Sequence, residues 1–83
     1  MVYDVDERRV NKMLNVGRKY LTWIQNSVFE GEITDAKFEK LKLEIKKKID
    51  LKADSVIFYI NRTSLYMSKE VVGQERNPVT NIL

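Results

Sequence analysis

Asp4 and Asp6 are the residues of this chain best suited by type and spacing to do chemistry. They lie two apart at the end of a short apolar run, Val2-Tyr3-Asp4-Val5. Residues two apart in an extended strand point to the same side. Two neighbouring carboxylates make a hard-oxygen site for Mg²⁺ or Mn²⁺, completed by waters and by phosphate oxygens of a substrate. Such an ion activates water and stabilises charge on a phosphodiester without help from a histidine. The same residues also have ordinary uses. Asp is common at strand ends, and Asp6 directly before Glu7 reads as the cap of a following helix. Spacing alone leaves both readings open.

What surrounds the pair suits a phosphate-bearing partner. Arg8, Arg9, Lys12, Arg18 and Lys19 make the next segment basic, with Arg8, Lys12 and Lys19 along one side and Arg9 nearer its apolar boundary. They can hold the phosphates flanking a metal, or they can be an ordinary solvated helix face. Trp23, Tyr59 and Tyr66 can stack on bases, although aromatics at strand spacing are more often core or interface. The chain has 15 Lys and Arg against 12 Asp and Glu, for a net charge of +3. That balance favours a polyanionic partner without requiring one. There is no cysteine and no histidine. Disulfides, thiolate zinc sites, cysteine nucleophiles and the usual neutral-pH general base are thereby excluded. Ser27 and Thr63 have no recognisable base beside them, which argues against serine-type nucleophilic catalysis. Neither a signal peptide nor a membrane-spanning apolar run is evident, so the expected location is the cytoplasm, with no membrane partner.

The elements that must position these residues follow from periodicity. Val2-Tyr3-Asp4-Val5 reads as a strand. Val10, Met13, Leu14, Tyr20 and Leu21 fall near helical period, interrupted by Gly17, which costs about 1 kcal/mol against Ala unless close packing requires it. The stretch 22–33 is strand-like. Gln25-Asn26 is either a tight turn that splits it or the middle of one bent strand. Thr34 caps a second helix whose stripe is Phe38, Leu41, Ile45 and Ile49, and whose last turns carry Lys46-Lys47-Lys48. Ser55-Val56-Ile57-Phe58-Tyr59-Ile60 is a strand apolar on both faces. Lys69-Glu70-Val71-Val72-Gly73 reads as a short strand with a glycine stop, and 79–83 as a final strand.

This order predicts one α+β domain over residues 1–83, a ferredoxin-like βαββαβ sandwich with an additional C-terminal strand. Two helices cover one face of such a sheet, yet the strand at 55–60 is apolar on both. A second copy, or another protein, is the simplest cover, with 79–83 a candidate strand added to a partner's sheet edge.

Several segments together resemble one family. Val2-Tyr3-Asp4-Val5, Arg9-Val10, Gln25-Asn26-Ser27-Val28-Phe29-Glu30-Gly31-Glu32, Asp54-Ser55-Val56-Ile57 and Gly73 are similar to the second CRISPR-associated protein family, over essentially the whole chain. The resemblance implies a ferredoxin-like homodimer that bridges the CRISPR integrase subunit during spacer acquisition. It also implies metal-dependent endonuclease activity on single-stranded RNA or double-stranded DNA. It makes Asp4 the catalytic, metal-binding residue, with Mg²⁺ or Mn²⁺ as cofactor, and leaves Asp6 as cap or supporting residue. Tyr3, Arg9, Ser27 and Phe29 carry over as residues near the site or its dimer interface, while Arg8, Arg9 and Lys12 are the expected nucleic-acid contacts. The family's turn within Gln25-Asn26 favours the hairpin. One departure stands out. Family members carry several more apolar residues before the Tyr-Asp pair, so the first strand here is expected to be short and its hold on Asp4 reduced. Three functions compete: a DNA-holding scaffold, a Mg²⁺-dependent phosphodiesterase, and a ferredoxin-like RNA-binding module.

Overall fold

A computed structural model describes residues 1–63 and 66–75, with the side chains of Thr63 and Tyr66 excepted. The strand expected at 79–83 lies outside the described residues. The elements run β1 (Val2–Asp4), α1 (Glu7–Tyr20), β2 (Thr22–Gln25), β3 (Val28–Glu30), α2 (Asp35–Lys48), β4 (Ser55–Thr63) and β5 (Tyr66–Gly73). The five strands form one antiparallel sheet in the order β2-β3-β1-β4-β5. The first four follow the ferredoxin-like arrangement, and β5 adds to the outer edge of β4. The additional strand is therefore 66–73, three residues longer at its start than the predicted 69–73.

Helix α1 begins where the sequence places its cap. Asp6 accepts a 2.9 Å hydrogen bond from the Arg8 backbone N–H, and Glu7 sits in the first turn. Thr34 caps α2 in the same way, its hydroxyl accepting from Lys37 N–H at 3.2 Å. The stripe Phe38, Leu41, Ile45 and Ile49 is buried as its spacing requires. Both helices lie on one side of the sheet. Tyr3, Phe29, Val56 and Phe58 meet them there, with Phe38 edge-on to Phe58 at 5.0 Å.

Gly17 answers a question the sequence left open. A Cβ built on it would stand 2.6 Å from the Phe29 ring, so the glycine lets α1 approach the sheet over a fully buried phenylalanine. The 22–33 stretch is a hairpin, not a bent strand. Gln25 pairs with Val28, and the turn falls on Asn26-Ser27, one residue later than Gln25-Asn26. Asn26 takes φ +43°, a left-handed conformation that Asn tolerates better than most residues.

As expected, β1 is short, three residues against nine in β4. It nevertheless remains the central strand. Val2 pairs with both Val28 and Ile57, Tyr3 with Val56, and Asp4 with Ser55. Met1 extends the ladder, its carbonyl accepting from Phe29 N–H at 2.9 Å. Strand alternation sends Tyr3 and Val56 toward the helices and Val2, Asp4, Ile57 and Tyr59 to the opposite face. None of the described elements covers that face. Val2, Ile24, Tyr59 and Met67 are exposed, and Val28, Ile57 and Val71 half-buried.

Candidate functional site

Asp4 ends β1 with its side chain exposed on the helix-free face, in register with Ser55. The chain then leaves the sheet through Val5 and enters α1 at Asp6. There the two carboxylates take different work. The Asp6 side chain caps α1 and receives the Arg8 guanidinium, Nε on Oδ1 at 3.0 Å and Nη2 on Oδ2 at 3.4 Å. These bonds, the Arg8 side chain's first, lower the Asp6 carboxyl below its ordinary range. Arg8 is thus oriented while remaining largely exposed. Lys12 is exposed one helical turn later, on the side that Arg8 faces.

Arg9 points elsewhere. Its guanidinium grips the carboxylate of Asp54, Nε on Oδ2 at 2.5 Å and Nη2 on Oδ1 at 3.0 Å. Asp54 is 1% exposed. It also accepts from Asp6 N–H at 3.0 Å and Asp50 N–H at 2.9 Å. The Arg9 hydrogen bonds, reinforced by these backbone donors, hold the Asp54 carboxyl well below the usual range against the opposing effect of burial. Arg9 is therefore a residue of the interior edge of α1, turned to Asp54 and not outward with Arg8.

Tyr3, Ser27 and Phe29 gather along β1 and its neighbour β3. Tyr3 is buried, its ring 6.0 Å from that of Phe29, and its hydroxyl donates to Asn26 O at 3.4 Å. Burial raises its phenol above the ordinary value. Ser27 contributes its carbonyl, which accepts from Tyr3 N–H at 3.1 Å. These residues hold β1 to the hairpin and so set the strand that ends at Asp4. Trp23 lies at the sheet edge under Arg18, 5.5 Å from the guanidinium carbon, and its indole N–H donates to Asn26 O at 2.9 Å.

Asp54 is the residue that sequence reasoning did not single out. It stands in the Asp54-Ser55-Val56-Ile57 segment, but a lone carboxylate before an apolar strand gives no sign of a partner 45 residues away. As a metal centre, one chain offers a sparse donor set. Among the described residues no group of three acidic side chains is placed to hold a metal ion. The exposed Asp4 carboxylate suits a hard divalent ion of the Mg²⁺ type, which accepts one or two carboxylates and takes the rest from water and phosphate.

The family model for CRISPR associated protein Cas2 matches residues 1–67. The chain belongs to this family. The CRISPR-associated endoribonuclease Cas2 of Dictyoglomus turgidum is 60% identical over 83 residues, covering 100% of this chain and 95% of the relative. That of Thermotoga maritima is 53% identical over 76 residues, 92% of this chain and 87% of the relative. That of Methanocaldococcus jannaschii is 47% identical over 83 residues, 100% and 73% respectively. The resemblance read from Val2-Tyr3-Asp4-Val5 and the Gln25–Glu32 stretch is thus borne out, and the sheet order agrees with the family's ferredoxin-like fold. No helix among the described residues is long and apolar enough to cross a membrane.

Proposed function

We propose that this chain is a cytoplasmic, homodimeric endoribonuclease of the CRISPR system that depends on Mg²⁺ or Mn²⁺, with Asp4 from each copy as the metal ligand. The observation that carries the reading is the position of Asp4 on the same helix-free face as Val2, Ile57 and Tyr59. An apolar sheet face of this kind is buried when two copies meet. A two-fold contact through it sets one Asp4 against the other. Two carboxylates make a better site for a divalent ion than one. Relatives spanning the whole chain carry the name endoribonuclease, which supports RNA cleavage.

Within this reading the residues have separate tasks. Asp4 contributes negative charge and oxygen ligands. Arg8, steadied by Asp6, and Lys12 bind phosphates on either side of the scissile one. The bound ion supplies positive charge at the phosphodiester and a water of lowered pKa. The test is cleavage of single-stranded RNA by purified dimer. Cleavage is expected to disappear with EDTA and in Asp4→Asn. Persistence in the variant points to a contaminating nuclease and overturns the reading.

A second reading is a scaffold that holds duplex DNA for the CRISPR integrase subunit during spacer acquisition. It is favoured by the exposed pair Arg8 and Lys12, which needs no metal to bind a phosphate backbone. Here Asp4→Asn leaves DNA binding and acquisition intact. Charge reversal at Lys12 weakens DNA binding uniformly across sequences and reduces its salt slope by about 1.

A further inference from the structure

Asp54 is a buried carboxylate that the reading above gives no task. Its two oxygens receive four hydrogen bonds: Asp6 N–H and Arg9 Nη2 on Oδ1, Arg9 Nε and Asp50 N–H on Oδ2. Its own backbone is tied as well, its N–H donating to Asp50 O and its carbonyl accepting from Gln74 N–H, both at 2.8 Å. Filling this volume requires no charge, since apolar pairs replace buried ion pairs at little cost to stability. What the ion pair adds is orientation. The planar guanidinium fixes the carboxylate from one side and leaves one Oδ1 direction for the Asp6 N–H.

That N–H belongs to the turn that follows Asp4, with only Val5 between. Asp4 is therefore held from two sides. Upstream, it is in ladder register with Ser55; downstream, Asp6 is bonded to Asp54. Ser55 and Asp54 are consecutive, so both holds come from one two-residue segment. We propose that Asp54 is the positioning residue for the Asp4 carboxylate, anchoring the β1–α1 turn so that two Asp4 side chains meet at ion-binding separation when the sheet faces join. The inference rests on the reading of Asp4 as metal ligand. In a two-fold dimer a displacement of each Asp4 changes their separation by up to twice that displacement. A misplacement of about 1 Å costs reacting groups on the order of 100-fold in rate.

The experiment compares wild type, Asp4→Asn and Asp54→Asn as intact dimers. Mn²⁺ affinity is measured by calorimetry without nucleic acid, cleavage is measured on single-stranded RNA, and hydrogen exchange is followed at the Asp6 amide. Asp54→Asn is expected to accelerate Asp6 exchange and weaken Mn²⁺ binding by about 10- to 100-fold, the range for groups that orient a ligand. It lowers kcat with KM for RNA unchanged, and excess Mn²⁺ restores part of the rate. In an Asp4→Asn background it adds no further loss, because the two act as one unit. Should Asp54→Asn fail to fold, the pair Arg9→Met with Asp54→Leu fills the same volume, gives the Asp6 N–H no acceptor, and is expected to show the same loss of Mn²⁺ binding. Mn²⁺ affinity and cleavage within about twofold of wild type in the folded variant, beside a dead Asp4→Asn, overturn the role of Asp54 alone. An unaffected Asp4→Asn overturns the metal reading and this inference together.

Discussion

Gly17 and Phe29 meet where α1 crosses the sheet, and their contact sets two opposing effects against each other. Replacing an exposed helix-interior glycine by alanine gains about 1 kcal/mol in helix propensity. Here the added methyl group would lie 2.6 Å from a ring with no exposed surface. Overpacking of this kind costs about 1–3 kcal/mol, so Gly17→Ala is expected to lower stability despite its helix preference, measured as a lower urea midpoint at unchanged m-value. The Asp54 carboxylate ties stability to pH. Its carboxyl binds a proton less readily folded than unfolded, so acid favours the unfolded chain. The stability it contributes is full above the ordinary carboxylate value of 3.8 and fades as pH falls below it. The difference in unfolding free energy between wild type and Asp54→Asn should therefore be constant from neutral pH to about pH 5 and shrink in stronger acid, as followed by urea titrations at each pH.

At the scale of elements, the β2–β3 hairpin hangs on one residue. Asn26 holds a left-handed conformation and its carbonyl receives both the Trp23 indole and the Tyr3 hydroxyl. A β-branched residue pays about 1–2 kcal/mol for that conformation, so Asn26→Val should destabilise by that amount in chemical denaturation, while Asn26→Gly should stay close to wild type. This turn also marks the limit of what could be read from the chain. Caps at Asp6 and Thr34, the α2 stripe and the two-faced strand at 55–60 were all legible, because each depends on residues close in sequence. The hairpin was not decided by spacing, since Asn26 is followed by Ser27 rather than glycine. The function of Gly17 depended on Phe29 and that of Asp54 on Arg9, partners that only folding brings together. Among the candidate site residues, Arg9 showed its basic character in the sequence but not its direction. Its charge suggests a phosphate contact; its neighbour in space is a buried carboxylate.

At the scale of the whole molecule, the sheet has one face under two helices and one that no described element covers. That face carries Val2, Ile24, Val28, Ile57, Tyr59 and Val71, with Asp4 at its margin where β1 ends. A contiguous apolar surface on so small a domain marks an interaction site. Ile57 lies near its middle, paired with Val2 on one side and Val71 on the other. Ile57→Lys buries an unpaired charge in a two-fold contact, and is expected to give monomers by light scattering and to abolish Mg²⁺-dependent RNA cleavage although Asp4 is untouched. A monomer that still cleaves RNA would separate activity from the dimer.

The proposed ion site takes one Asp4 from each of two copies. Mixed dimers that carry Asp4→Asn in a single protomer test it directly, with Mg²⁺-dependent RNA cleavage as the measurement. A shared site predicts that such dimers are as inactive as those changed in both protomers. Retention of half the wild-type rate would mean that each protomer works alone, with no ion shared between the two.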